Sequence, residues 1–385
     1  MEEWKSDILI NLLDALIDYR GKTPKKKSSG VPLVTAKIIK GGRILPFDEF
    51  IAEDDYDSWM VRGLPQPGDV VLTTEAPLGE VAQLDDIRVA LAQRVVTLRG
   101  KKGILDNTYL KYFLQSDIGQ KRLSARETGT TVTGINQSEL RKVEISYPDY
   151  DTQCLIGAIL KSLDDKIALN NRINHNLLNV AQEIFDSEVA RIHSYTDSYK
   201  KSSLLGIADY LNGVAMQKYP TLGSEDGLPV LKIKELGQQF CDSTSDRCTK
   251  NIPDQYVVHD GDIVFSWSGT LLVDFWCGGE CGLNQHLFKV SARGYPAWFA
   301  FFWTKHHLDR FIRIAKDKAV TMGHIKRSDL GKAEVYVPDE DSLRTIDSII
   351  DPLVAEFIGR RVETRELQLL RDSLLPELMT GHLTC

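Results

Sequence analysis

The chain contains its own sequence twice. Gly30-Val31-Pro32-Leu33-Val34 returns as Gly227-Leu228-Pro229-Val230-Leu231, and Pro67-Gly68-Asp69-Val70-Val71 returns as Asp260-Gly261-Asp262-Ile263-Val264. Further along, Gln93 corresponds to Gln285, and Ile135, Ser138, Leu140 and Pro148 correspond to Ile325, Ser328, Leu330 and Pro338. The offset between copies drifts only from 197 through 193 and 192 to 190 residues, so the matches stay collinear across small loop changes. A period of this length is a duplicated domain rather than a solenoid repeat. It suits a target that is itself bipartite or two-fold.

Between and after the two copies the texture changes. From Thr152 to about His193 there is no proline, and Ile156, Leu160, Leu163 and Ile167, then Leu177, Ala181 and Ile184, alternate in steps of three and four on either side of a polar gap. That is a heptad seam on a helix of about 40 residues, roughly 60 Å long. The second segment repeats it with Ile346, Ile350, Leu353, Phe357, Leu367, Leu374 and Leu378. Each seam has a polar middle: Asn170 and Asn174 in one, Arg360 and Thr364 in the other. Polar seam residues cost stability but fix register and pairing. Packed antiparallel, the two polar zones would meet, and the helices would form a rod between two globular domains. The alternative is that each helix simply covers its own domain.

The expected fold is therefore α+β. Two similar mixed α/β domains occupy 1–150 and 196–338, and long helices over 151–195 and 339–385 pair as an antiparallel coiled coil. Short β-branched runs such as Val70-Val71-Leu72-Thr73 and Ile263-Val264-Phe265 predict strands, and Asn107–Ser116 and Pro296–Lys305 predict matching helices.

Net charge is −7, which at first argues against a polyanionic partner. All of that excess sits on the two helical segments, 151–193 and 339–385, and the globular repeats are neutral. With 42% hydrophobic and 26% charged residues the composition is that of an ordinary globular protein. No apolar run is long enough for a membrane span and the start MEEWKSDILI lacks a signal layout, so the expected compartment is the cytoplasm. Cys241, Cys248, Cys277 and Cys281 have spacings that match zinc ribbons poorly, so no metal is expected.

No catalytic residue is assigned. Gly21-Lys22-Thr23 resembles the end of a phosphate-binding loop, but the glycine required five residues earlier is Leu16. There is no G-x-S-x-G, no H-E-x-x-H, no Asn-Pro-Pro-aromatic tetrapeptide and no Gly-rich turn for a methyl donor. Asp254 and Asp339 read as turn or cap residues.

The polar loops instead suggest nucleic acid. Lys22, Thr23, Lys25, Lys26 and Lys27 form a basic loop, with Lys37, Lys40 and Arg43 following. Arg126, Thr130 and Thr131 lie in a hydroxyl-rich loop suited to phosphate oxygens. The second copy lacks the lysine run and offers Gln217, Lys218, Lys232, Lys234, Ser268, Lys318, Thr321 and Lys326. Trp267 and His286 are as readily structural. Divergent polar loops on a repeated apolar framework fit two domains that read different base sequences.

Taken together these residues resemble the specificity subunit of type I restriction-modification systems. The resemblance is most specific in Leu163-Asp164-Asp165-Lys166-Ile167-x-x-Asn170-x-x-Ile173-Asn174-x-x-Leu177 and in Leu374-Leu375-Pro376-Glu377-Leu378-Met379-Thr380-Gly381. Arg20-Gly21-Lys22-Thr23-Pro24 and Gly129-Thr130-Thr131 are similar to elements of its target-recognition domains. The resemblance implies two such domains, each reading half of a split site on double-stranded DNA. It also implies helices that dock modification (methyltransferase) subunits, two of them, with restriction subunits joining through the complex. It implies no cofactor and no catalysis in this chain. Two other readings remain: a non-catalytic structural or adaptor protein with two protein-binding domains across a coiled-coil spacer, and a self-sufficient modification enzyme.

Overall fold

The computed structural model describes residues 4–21, 23–129, 133–192, 199–221, 223, 226–317 and 323–381. They form two compact units: 1–165 with 368–385, and 166–367. No described helix is long and apolar enough to cross a membrane.

The first unit is built on a four-stranded antiparallel sheet in the order Leu13–Asp18, Val95–Gly100, Val70–Thr74, Leu78–Gln83. Side chains alternate across a strand, so the run Val70-Val71-Leu72 feeds two cores at once. Val70, Leu72, Val96 and Leu98 face the helices Asn107–Gln115 and Asp117–Ser124. Val71 and Val95 face a second layer holding Val31, Leu33 and Leu91, where Val31–Val34 pairs in parallel with Ala90–Leu91. Burial on both faces explains why these strands read as continuous apolar runs instead of alternating ones.

The second unit repeats the four-stranded sheet and the parallel pair beside it. Its sheet runs Ala208–Asn212, Leu287–Ala292, Ile263–Ser266, Leu272–Phe275, and Leu228–Leu231 pairs in parallel with Cys281–Leu283. Ile263 and Phe265 enter one core and Val264 the other. Register is kept as well: Val70 pairs with Leu98, and Ile263 pairs with Val290.

The repeated Gly-Asp turn shows why sequence was retained there. Gly68 and Gly261 sit at φ +83° and +89°, a region that disfavours any side chain. The Gly68 N–H donates to the Leu84 carbonyl at 2.8 Å and the Leu84 N–H returns to Asp69 at 2.9 Å. Gly261, Trp276 and Asp262 make the same two bonds at 2.7 and 2.8 Å.

The long helices span Tyr150–Ile192 and Glu340–Thr380. Matching caps open them: the Asp149 carboxylate accepts from the Thr152 N–H at 3.1 Å, and that of Asp339 from the Ser342 N–H at 2.9 Å. These amide contacts hold the Asp339 carboxyl below its ordinary range. Asp254 opens a short helical turn, Asp254–Tyr256. The second helix continues through Pro352 and Pro376, both exposed, where only one backbone bond each is forfeited.

The helices run antiparallel within each unit. In the second, Lys166 reaches Glu363 (3.2 Å) and Asn170 reaches Arg360 (3.1 Å), so one chain ascends as the other descends. The seam also serves the globular cores. Ile156, Leu160, Leu378 and Met379 belong to the first unit's core, and Ala181, Phe185, Ile350 and Phe357 to the second's. The two alternatives raised by the sequence therefore coexist: the helices pair, and their apolar ends roof the sheets.

Candidate nucleic-acid interface

In both units the central strand ends at the same polar corner. Strand Val70–Thr74 is followed by Glu75, which bridges to Gly134, and strand Ile263–Ser266 leads to Ser268, which bridges to His324. The corner is tied twice in each copy. The Thr74 N–H donates to the Arg94 carbonyl (3.0 Å) and the Thr74 carbonyl accepts from Ile135 (2.9 Å). Trp267 makes the matching bonds with His286 (3.4 Å) and Ile325 (3.1 Å). At this corner Arg94 and Glu75 form an ion pair at 2.9 Å, and Ser268 and His286 share a hydrogen bond at 3.0 Å.

Beside the first corner lies a hollow of about 230 Å³ lined by Thr23, Lys26, Thr35, Lys37, Gln93 and Arg94, among others. The Thr23 hydroxyl donates to Gln93 Oε1 at 3.3 Å, and the buried Thr35 hydroxyl has no partner among the described residues. The structure thus joins Thr23 and Lys26 of the basic loop to Lys37. It does not bring Lys40 and Arg43 there, because their two-stranded hairpin Ile39–Ile44 packs on Leu78–Gln83.

The basic loop is held to the body of the unit. Lys27 exchanges two backbone hydrogen bonds with Phe50, at 2.8 and 3.1 Å. This brings acids beneath the lysines: Lys26 pairs with Glu49 at 2.8 Å and Lys37 with Asp48. That contact raises the Lys37 ammonium above its ordinary value and lowers the Asp48 carboxyl. Among the described residues Lys25, Lys27, Lys40 and Arg43 make no ion pair. Arg126 is paired with Glu139 at 3.2 Å, which its position in a hydroxyl-rich loop did not foretell. Lys22, Thr130, Thr131, Lys318 and Thr321 lie outside the described residues.

In the second unit Gln217 and Lys218 are exposed on the turn Met216–Lys218. Lys232 is paired with Asp246, and Lys234 with Asp242 at 3.1 Å, so both carry a local counter-charge. Ser268 is only 3% exposed and its hydroxyl is spent on His286. Trp267 donates its indole N–H to Asn212 at 2.9 Å and its ring lies against His286, Phe288 and His324. Lys326 is exposed ahead of the helix Arg327–Gly331.

The seam residues fall together. Asn170, fully buried, donates to Glu363 at 2.8 Å and accepts from Arg360 at 3.1 Å. The Thr364 hydroxyl turns back to the Arg360 carbonyl at 2.8 Å. Asn174 is buried with neither side-chain atom partnered among the described residues. No group of three potential metal ligands occurs among the described residues. Burial pushes the Cys277 thiol up to about 11 and Cys241 up to about 12, so both stay protonated at neutral pH.

Residues 17–179 match the family model described as the type I restriction modification DNA specificity domain. The chain is 25% identical over 94% of its length to the type I restriction enzyme MjaIX specificity subunit of Methanocaldococcus jannaschii, covering 90% of that protein. It is 23% identical over 53% of its length to the EcoBI specificity subunit of Escherichia coli, covering 43% of that protein. The crystal structure of the type I restriction-modification S subunit from M. genitalium shares its fold, with a TM-score of 0.67, 16% identity, and coverage of 98% of this chain and 96% of that one. With its duplicated sheets, antiparallel long helices and divergent polar corners, the chain carries a type I restriction modification DNA specificity domain over residues 17–179 and is similar along its length to type I restriction enzyme specificity subunits.

Proposed function

We propose that residues 1–150 and 196–338 are the two target-recognition domains of this subunit, each reading one half of a bipartite site on double-stranded DNA. Residues 151–195 and 339–385 are the conserved helical regions that dock two modification subunits, with restriction subunits joining through the complex. The observation that carries this reading is the repeat itself: equal sheet order and register, with different polar side chains at the same corner. A shared framework supplies equal geometry, and side-chain exchange supplies unequal sequence preference.

Phosphate contact falls to cations that make no ion pair among the described residues, Lys25, Lys27, Lys40 and Arg43 in the first domain and Lys218 and Lys326 in the second. Thr23, Lys26, Lys37, Arg126, Gln217, Lys232, Lys234 and Ser268 then act as positioning or base-edge groups, together with Lys22, Thr130, Thr131, Lys318 and Thr321. This chain supplies specificity, the modification subunits supply methyl transfer, and the assembly works in the cytoplasm without a cofactor of its own. The test is duplex binding by the complex over a salt series. A steep fall of affinity with salt is expected, and a flat profile would favour the adaptor reading.

A further inference from the structure

We propose that the cross-strand pair at the polar corner determines specificity, with Arg94 reading a guanine edge in one half-site and His286 reading the equivalent position in the other. This rests on the proposed function and goes beyond it by naming the reader. The two pairs occupy the same place in the repeat: Glu75 matches Ser268 and Arg94 matches His286, at the offsets 193 and 192 that relate the flanking motifs. Their backbones are tied identically through Thr74 and Trp267, and the residues after Glu75 and Ser268, Ala76 and Gly269, both adopt positive φ, +50° and +64°. What differs is the side-chain chemistry, an ion pair in one unit and a serine–histidine hydrogen bond in the other.

That contrast separates readers from framework. Gln93 and Gln285, adjacent to the pair, are the same in both copies, so they have no means of telling two half-sites apart. Arg94 and His286 are the nearest corner residues that do. Arg94 is also poised for the task. Glu75 engages its Nε, and among the described residues neither terminal nitrogen is hydrogen-bonded, while the two side chains keep 49% and 40% of their surface. A guanidinium anchored through Nε presents its remaining fork to two acceptors in one plane, which is the pattern of guanine O6 and N7 in the major groove. Glu75 is then a positioning residue. In the second unit the fork is absent and the imidazole of His286 is held by Ser268, so a different base is selected there.

The experiment is genome-wide methylation mapping by the full complex carrying Arg94→Ala, Arg94→Lys, Glu75→Gln or His286→Ala. With Arg94→Ala, one G·C position of one half-site becomes degenerate, discrimination there falling about 10- to 100-fold, and the other half-site is unchanged. Arg94→Lys relaxes the same position, because an ammonium lacks the fork. Glu75→Gln relaxes it partially, and His286→Ala acts only on the opposite half-site. Rescue of the motif by Arg94→Lys, or a uniform loss of methylation with the motif intact, would overturn the inference by showing a phosphate contact. A wild-type complex with no bipartite motif would instead overturn the proposed function beneath it.

Discussion

Asp164 and Arg371 lie 207 residues apart in sequence and 2.9 Å apart in the fold, guanidinium to carboxylate. The same carboxylate accepts from Lys111 at 3.0 Å and from the Tyr112 hydroxyl at 2.7 Å. One side chain of the central helix therefore ties the distal helix to the helix that covers the first sheet. Replacing Asp164 by Ala leaves the buried Lys111 without its counter-charge and Arg371 with Asp372 alone, and the expected loss is about 3 kcal/mol. Urea unfolding with hydrogen exchange across Asn107–Gln115 measures it, and a loss below about 1 kcal/mol would deny the clamp its role.

The clamp also has a pH signature. Burial opposes ionisation of Asp164, but Lys111, Tyr112 and Arg371 outweigh it and hold the carboxyl below its ordinary value. A carboxyl depressed in the folded state stabilises above the unfolded value and loses that contribution as pH falls through the folded one. The stability gap between wild type and Asp164→Asn is expected to be constant near neutrality and to close below about pH 4. A gap that widens on acidification would contradict the assignment.

The two seam asparagines predict effects of opposite sign. Asn170 is satisfied by Glu363 and Arg360, whereas Asn174 is buried without a partner among the described residues. Asn170→Leu removes a buried hydrogen-bond partner from two charged groups, which keep only Lys166 and Glu356, and is expected to destabilise by about 1–2 kcal/mol. Asn174→Leu removes an unmet polar group and is expected to stabilise by about 1 kcal/mol. Thermal unfolding of the two variants side by side decides it, and equal signs would refute the distinction.

Much of this fold was legible because the chain repeats itself. Apolar runs, Gly-Asp turns and seam spacing are local signals, and the helices at Asn107–Gln115 and Ala297–His306 fall within a residue of their expected bounds. Charge was less legible. The lysine run reads as one cationic surface, yet strand pairing of Pro32 with Phe50 brings Asp48 and Glu49 against Lys37 and Lys26. Glu75 and Arg94 escaped notice because they lie outside any basic cluster. Overlaying the copies at Glu75/Ser268 and Arg94/His286 was the signal that marked them.

The paired and unpaired lysines should separate in solution. Lys25→Ala and Lys27→Ala are each expected to lower the salt slope of DNA binding by about 1, since each removes one proposed phosphate contact. Lys26→Ala and Lys37→Ala also free Glu49 and Asp48, which repel the backbone, so they weaken binding more than their single lost cation implies. Slopes measured by fluorescence anisotropy on one duplex test both statements, and identical affinities for all four variants would contradict them.

The central claim is that each globular repeat reads its own half of the site. Residues 1–150 exchanged for the corresponding domain of another family member, followed by methylation mapping of the assembled complex, test it most directly. The account predicts that one half-site changes to the donor's sequence and the other stays as it was. Change in both halves, or in neither, would contradict it.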